Sequence, residues 1–124
     1  MKSRIWVVGV GLSFVLGGWA PAWAANYYVD DGSTDGDVWT PTAYGLDINN
    51  GLTPATPKAT LANLIGTVAL AAGDVVYLDT GTYAPTVISN TVNGVAGSPI
   101  TFLGSTNQAA GGPRFSGSGY IITI

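Results

Sequence analysis

GDVVYLDTGTY, residues Gly73 to Tyr83, is the stretch on which the fold turns. Val75, Val76, Tyr77 and Leu78 are four β-prone residues set between a Gly-Asp turn and a second turn at Asp79-Thr80-Gly81-Thr82. That pattern predicts a short strand buried on both faces. Immediately upstream, Lys58 to Ala72 carries helix punctuation. Thr56 suits the N-cap, Pro57 the first helical position, and Gly73 the left-handed residue that ends a helix. Leu61, Leu64, Ile65, Val68 and Ala72 recur at helical spacing and form one apolar stripe. Downstream the signals are β only: Thr86–Ser89, Ile100–Leu103, Arg114–Phe115 and Tyr120–Ile124, with turn clusters between them.

Ahead of the helix, Asn26 to Val29 reads as a first strand, and Asp30 to Asp37 as a polar loop built on Asx turns and glycine. From Val38 to Pro54 the pattern is irregular. A long ordered loop is expected there, pinned by the apolar side chains of Trp39, Tyr44, Leu46 and Ile48.

The first 24 residues form a targeting segment. Lys2 and Arg4 make a positive start, Ile5 to Leu16 an apolar run, and Ala22-Trp23-Ala24 a small-x-small cleavage site, so residues 1–24 read as a signal peptide and the mature chain as starting at Ala25. The apolar run is short for a membrane span, which needs roughly 20 residues, so no span is expected once the signal is removed. The mature part keeps two cations, Lys58 and Arg114, against all seven aspartates. Nucleic acid is excluded as a partner, because phosphate binding needs clustered Lys and Arg. The chain has no Cys and no His, so neither a disulfide framework nor a His-dependent triad or metal site is available.

Strong apolar strands recur about every two dozen residues, with weaker strands between them. This predicts a solenoid whose coils stack an inward row of Val, Ile, Leu and Phe. Periodicity alone leaves a β-sandwich open.

YYVDDGSTDG from Tyr27, NNGLTPATPKATL from Asn49 to Leu61, GDVVYLDTGTY and GSPITFLGS from Gly97 to Ser105 resemble, in that order, the N-terminal end of secreted right-handed parallel β-helix proteins of the pectate-lyase-like superfamily. That group includes chondroitinase-B-like and alginate-lyase-like polysaccharide lyases. The resemblance implies an all-β, right-handed parallel β-helix with an N-terminal capping α-helix. It divides the chain into a signal peptide (1–24), an opening strand, loop and capping helix (25–74), and the first coils (75–124). It also implies an exported protein of carbohydrate-active type, with polysaccharide as its partner. The chain reads as the front portion of a longer protein, with remaining coils and any active site beyond Ile124. A non-enzymatic, adhesin-like surface solenoid is the alternative.

No catalytic residue is expected within the chain. Lyase chemistry needs a base and a group that neutralises the uronate carboxylate. Lys58 is expected to be a solvated charge in the first helical turn, and Arg114 a surface residue without a basic partner. Asp74 and Asp79 bracket one strand, too far apart for a glycosidase pair, and read as turn formers. Asp30, Asp31, Asp35 and Asp37 are the one acidic cluster. Asp31, Asp35 and Asp37 are the calcium candidates, a hard cation being suited by several oxygens on one loop. The spacing is not that of an EF-hand, and surface turns use the same residues. Asn90, Asn93 and Asn107 lie in turns where the resemblance implies stacked asparagines. Trp39, Tyr44 and Tyr83 are expected to be buried anchors in preference to a sugar-stacking patch.

Overall fold

The computed structural model describes residues 23–88 and 92–118. The apolar run of the signal segment and the strand at Tyr120–Ile124 lie outside the described residues. Among the described residues, five short strands, one helix and a single 3₁₀ turn are joined by long loops: β1 (Asn26–Val29), α1 (Leu61–Thr67), β2 (Val75–Leu78), β3 (Gly81–Tyr83), β4 (Thr101–Gly104), the 3₁₀ turn Gln108–Ala110, and β5 (Pro113–Phe115). Among the described residues no helix is long and apolar enough to cross a membrane.

Among the described residues these strands pair only in parallel, the isolated Val95–Ser98 bridge being antiparallel. β2 is the centre of a three-stranded sheet, with Asn26 opposite Val75 on one side and Val75 opposite Thr101 on the other. β3 and β5 form a second, two-stranded sheet, with Gly81 opposite Pro113 and Tyr83 opposite Phe115. Parallel neighbours cannot be joined by a hairpin, so every pairing here is reached through a crossover.

β2 alternates instead of being buried on both faces. Val76 and Leu78 are buried, while Val75 and Tyr77 are half-buried on the opposite face. The inner side chains join Val29, Leu61, Leu64 and Tyr83 in one core, with Phe102, Phe115, Ile65 and Val68 packed against it. On the outer face Tyr77 stacks on Tyr28 at 5.1 Å and meets Trp39 edge-on at 5.0 Å. That aromatic layer explains why a half-exposed face looks as apolar in sequence as a buried one.

The helix is shorter than its punctuation suggests. Thr60, not Thr56, is the N-cap, and its hydroxyl accepts from Asn63 N at 3.1 Å. Asp47 fixes the entry by accepting from Ala59 N and Thr60 N at 3.1 and 2.9 Å. Residues 57–60 stay out of the helix because Lys58 bridges Val29 in parallel, exchanging backbone bonds with Tyr28 and Asp30. Val68 is already extended, so Gly73 serves the turn before β2 and not the helix end. Leu61 and Leu64 are the buried part of the stripe.

Two strand assignments change as well. Gly81–Tyr83, expected as a turn, is β3; residues 86–88, expected as a strand, are irregular.

Candidate functional site: a buried acid cluster

The chain leaves β1 at Asp30 and leaves β2 at Asp79, and parallel pairing of Val29 with Leu78 sets these two exits side by side. Both aspartates are buried. The loop after β1 brings Asp31 and Asp37 to the same place, and Tyr83 on β3 reaches in from below, its hydroxyl donating to Asp79 O at 2.9 Å. Gly45 closes the rim. A Cβ there would overlap the Asp30 carbonyl, and its N–H donates to Asp31 O at 2.8 Å.

Asp79 is saturated with donors. Its carboxylate accepts from Val38 N, Trp39 N and Thr40 N at 2.8, 2.6 and 2.7 Å, from Thr80 N at 2.8 Å, and from the Thr40 hydroxyl at 3.0 Å. Burial alone would raise its pKa, but the four backbone N–H bonds outweigh burial and hold it below 3.8. The residue expected to form a simple turn is therefore an anionic pin for a loop 40 residues upstream. This pin, together with Trp39 against Tyr77, orders the start of residues 38–54, whereas the later apolar side chains do not anchor it. Tyr44 and Leu46 are substantially exposed, and Ile48 is 91% exposed. Of the three expected aromatic anchors, Tyr83 is buried, Trp39 half-buried, and Tyr44 exposed.

Asp30 and Asp37 are the opposite case. Asp30 is 0% exposed, and the oxygens of both carboxyls are buried with no donor among the described residues. The two side chains lie within hydrogen-bonding reach of each other. Two carboxylates cannot bond, whereas an acid and a carboxylate can. Burial, then Asp37, Asp31 and Asp79, push Asp30 up to about 8; burial and Asp79 push Asp37 up to about 6. Near neutral pH the pair carries one proton, which gives each carboxyl its partner. Burial, with Asp30 next, also raises the Tyr83 phenol. Sequence spacing alone drew attention to Asp74 and Asp79. The close carboxyl pair is Asp30 with Asp37, whose oxygens are buried.

The three calcium candidates meet different surroundings. Asp31 accepts from Ser33 N and Thr82 N, one on each oxygen, at 2.9 Å; Asp35 is exposed; and Asp37 faces Asp30. Among the described residues no group of three or more acidic side chains is placed to hold a metal ion.

Lys58 is not the solvated charge expected. It is 5% exposed, and its ammonium donates to Asp47 O at 3.0 Å and Asn63 Oδ1 at 2.8 Å, tying the loop to the helix. Arg114 is exposed on β5, in line with its reading as a surface residue. Asn107 bonds Gly36 O and caps the 3₁₀ turn, Asn93 lies in the turn region ahead of β4, and Asn90 lies outside the described residues.

A cavity of about 150 Å³ opens between the two sheets, lined by Leu61, Leu78, Ile88, Phe102, Gly104, Pro113 and Phe115. Its lining has neither a base nor a carboxylate. No protein-family model matches this chain, and no curated protein or solved structure matches it either.

Proposed function

We propose that the chain is the N-terminal cap and opening coils of an exported, right-handed parallel β-helix protein of carbohydrate-active type, a polysaccharide lyase whose active site lies beyond Ile124. The observation that carries this reading is the pairing pattern. Successive strands return to each of two sheets in parallel register: β1, β2 and β4 in one, β3 and β5 in the other. A helix with buried Leu61 and Leu64 lies against the same core. Stacked coils generate such pairing directly, because each coil revisits each sheet once. α1 then covers the first coil, and the apolar cavity between Phe102 and Phe115 is the interior that a following coil would fill.

The catalytic part of the proposal rests on the resemblance of the cap segments. The chain from Ala25 supplies two cations, Lys58 buried and engaged in the cap and Arg114 exposed on β5, and one carboxyl pair with buried oxygens. The test uses the complete gene product. Unsaturated uronate products from pectate, alginate or chondroitin support the lyase. A continued stack of parallel coils without such products replaces it with the surface-display protein. Antiparallel sheets in the complete protein would overturn the solenoid.

A further inference from the structure

Asp74 stands at the start of β2, 2% exposed, with both carboxylate oxygens taken: Oδ2 accepts from Ala71 N at 2.8 Å, and Oδ1 accepts from Ala25 N at 2.7 Å. Ala25 is the residue at which the A-x-A site predicts the mature chain to begin. Its carbonyl is fixed as well, accepting from Val75 N at 3.0 Å. On the other side of the peptide bond, Trp23 and Ala24 are exposed, so a peptidase can reach the bond while Ala25 is held.

We propose that cleavage between Ala24 and Ala25 places the new α-ammonium group on the buried Asp74 carboxylate, so that export processing completes the N-terminal joint of the fold. The inference rests on the export reading and adds to it a structural consequence of cleavage. In the covalent step one water hydrolyses the Ala24–Ala25 amide. Ala24 leaves as a carboxylate, and the freed Ala25 amine takes up a proton. A bond in which only the acceptor is charged becomes one in which donor and acceptor carry opposite charges, so a Coulomb attraction is added to it. The carboxylate has no competing cation. Of the two in the mature chain, Lys58 is bound to Asp47 O and Asn63, and Arg114 is exposed on β5. The one other titratable group facing Asp74 among the described residues is the Tyr27 phenol, whose pKa is raised by its own burial and then by Asp74.

Pairing raises the α-amino pKa above its ordinary value of about 8. A raised pKa means that stability is fully present below that value and is lost as pH rises through the folded pKa. The native protein is compared at pH 6–10 with a form that retains Ala24 and with Asp74→Asn in both N-terminal forms. The Ala25 start can also be produced by a site-specific protease, so the pair is tested whatever the cell's own cleavage site. The expected result is a melting temperature on the order of 5 °C higher for the Ala25 start at pH 6. The gap should close at alkaline pH and be absent in Asp74→Asn. Equal melting of the two N-terminal forms at pH 6 would overturn the ion pair. An intact mass showing a different first residue in the exported protein would overturn the export reading while the pair itself is judged by melting.

Discussion

Two corners of the molecule, one after β1 and one after β2, bury an aspartate each, and they do so by opposite means. At the β2 corner Asp79 accepts five hydrogen bonds and stays ionised. At the β1 corner Asp30 has no N–H donor; burial and then the charge of Asp37 outweigh the pull of the Thr40 hydroxyl, and its pKa is pushed up to about 8. A buried carboxylate costs several kcal/mol unless donors replace its water. The comparison shows the two available remedies within one joint: bring donors, or give up the charge. The loop from Val38 to Thr40 exists in its ordered form because Asp79 takes the first course.

The largest effect should come from a buried acid granted neither remedy. Leu64 is fully buried against the core. Leu64→Asp should destabilise the protein by on the order of 5 kcal/mol, combining lost packing with an unpaired buried charge. A melting curve like that of the parent would overturn the proposed capping role of α1.

Next, Asp79→Ala leaves the Val38, Trp39 and Thr40 N–H groups without their acceptor. A loss of about 3 kcal/mol is expected, with hydrogen exchange at those three amides accelerated ahead of the β2 amides. Uniform acceleration would mean that Asp79 is not a local pin.

Asp30→Asn tests the second remedy. Asp30 has a folded pKa of about 8 against an ordinary 3.8, so its folded form holds more protons between those values. Stability is then greatest at the acid end of this window and falls as pH rises through it. Asp79 has the opposite sign, its contribution being present above 3.8 and lost as pH falls through its depressed folded value. Together they predict maximal stability near pH 4–5. Asp30→Asn, neutral at every pH, should flatten the alkaline decline and leave the acid limb unchanged. An unaltered alkaline slope would show that Asp30 is not its source.

The smallest expected effect is that of calcium. With Asp31 engaged by backbone N–H groups and Asp35 exposed, millimolar calcium should shift melting no more than magnesium does. A calcium-specific rise that also abolished the pH dependence would replace the shared proton with a cation.

Much of the strand framework is legible in sequence. β1 and β2 fall where the β-prone runs between turn residues place them, and β4 and β5 within one residue. The helix start is misread because Thr56-Pro57 and Thr60 offer similar caps, and the choice between them is tertiary, made by Lys58 pairing with Val29. β3 is missed because Asp79-Thr80-Gly81-Thr82 carries turn chemistry up to the strand itself. The acid cluster is visible as four aspartates in eight residues, Asp30 to Asp37. Its division into a hydrogen-bonded Asp31, an exposed Asp35 and a proton-sharing pair is not visible. That division depends on which oxygens the parallel pairing of β1 and β2 removes from solvent. The burial of Lys58 is hidden for the same reason, since its partners, Asp47 O and Asn63, are supplied by the fold.

The most direct measurement is the side-chain carboxyl titration of the native protein, followed by carbon NMR from pH 3 to pH 9 with Asp30→Asn and Asp37→Asn for assignment. The account predicts two coupled inflections, near pH 6 and near pH 8, that belong to the Asp30–Asp37 pair, while Asp79 stays ionised to below 3.8. Ordinary titration of Asp30 and Asp37 near pH 3.8, with all seven aspartates ionised at pH 6, would contradict it.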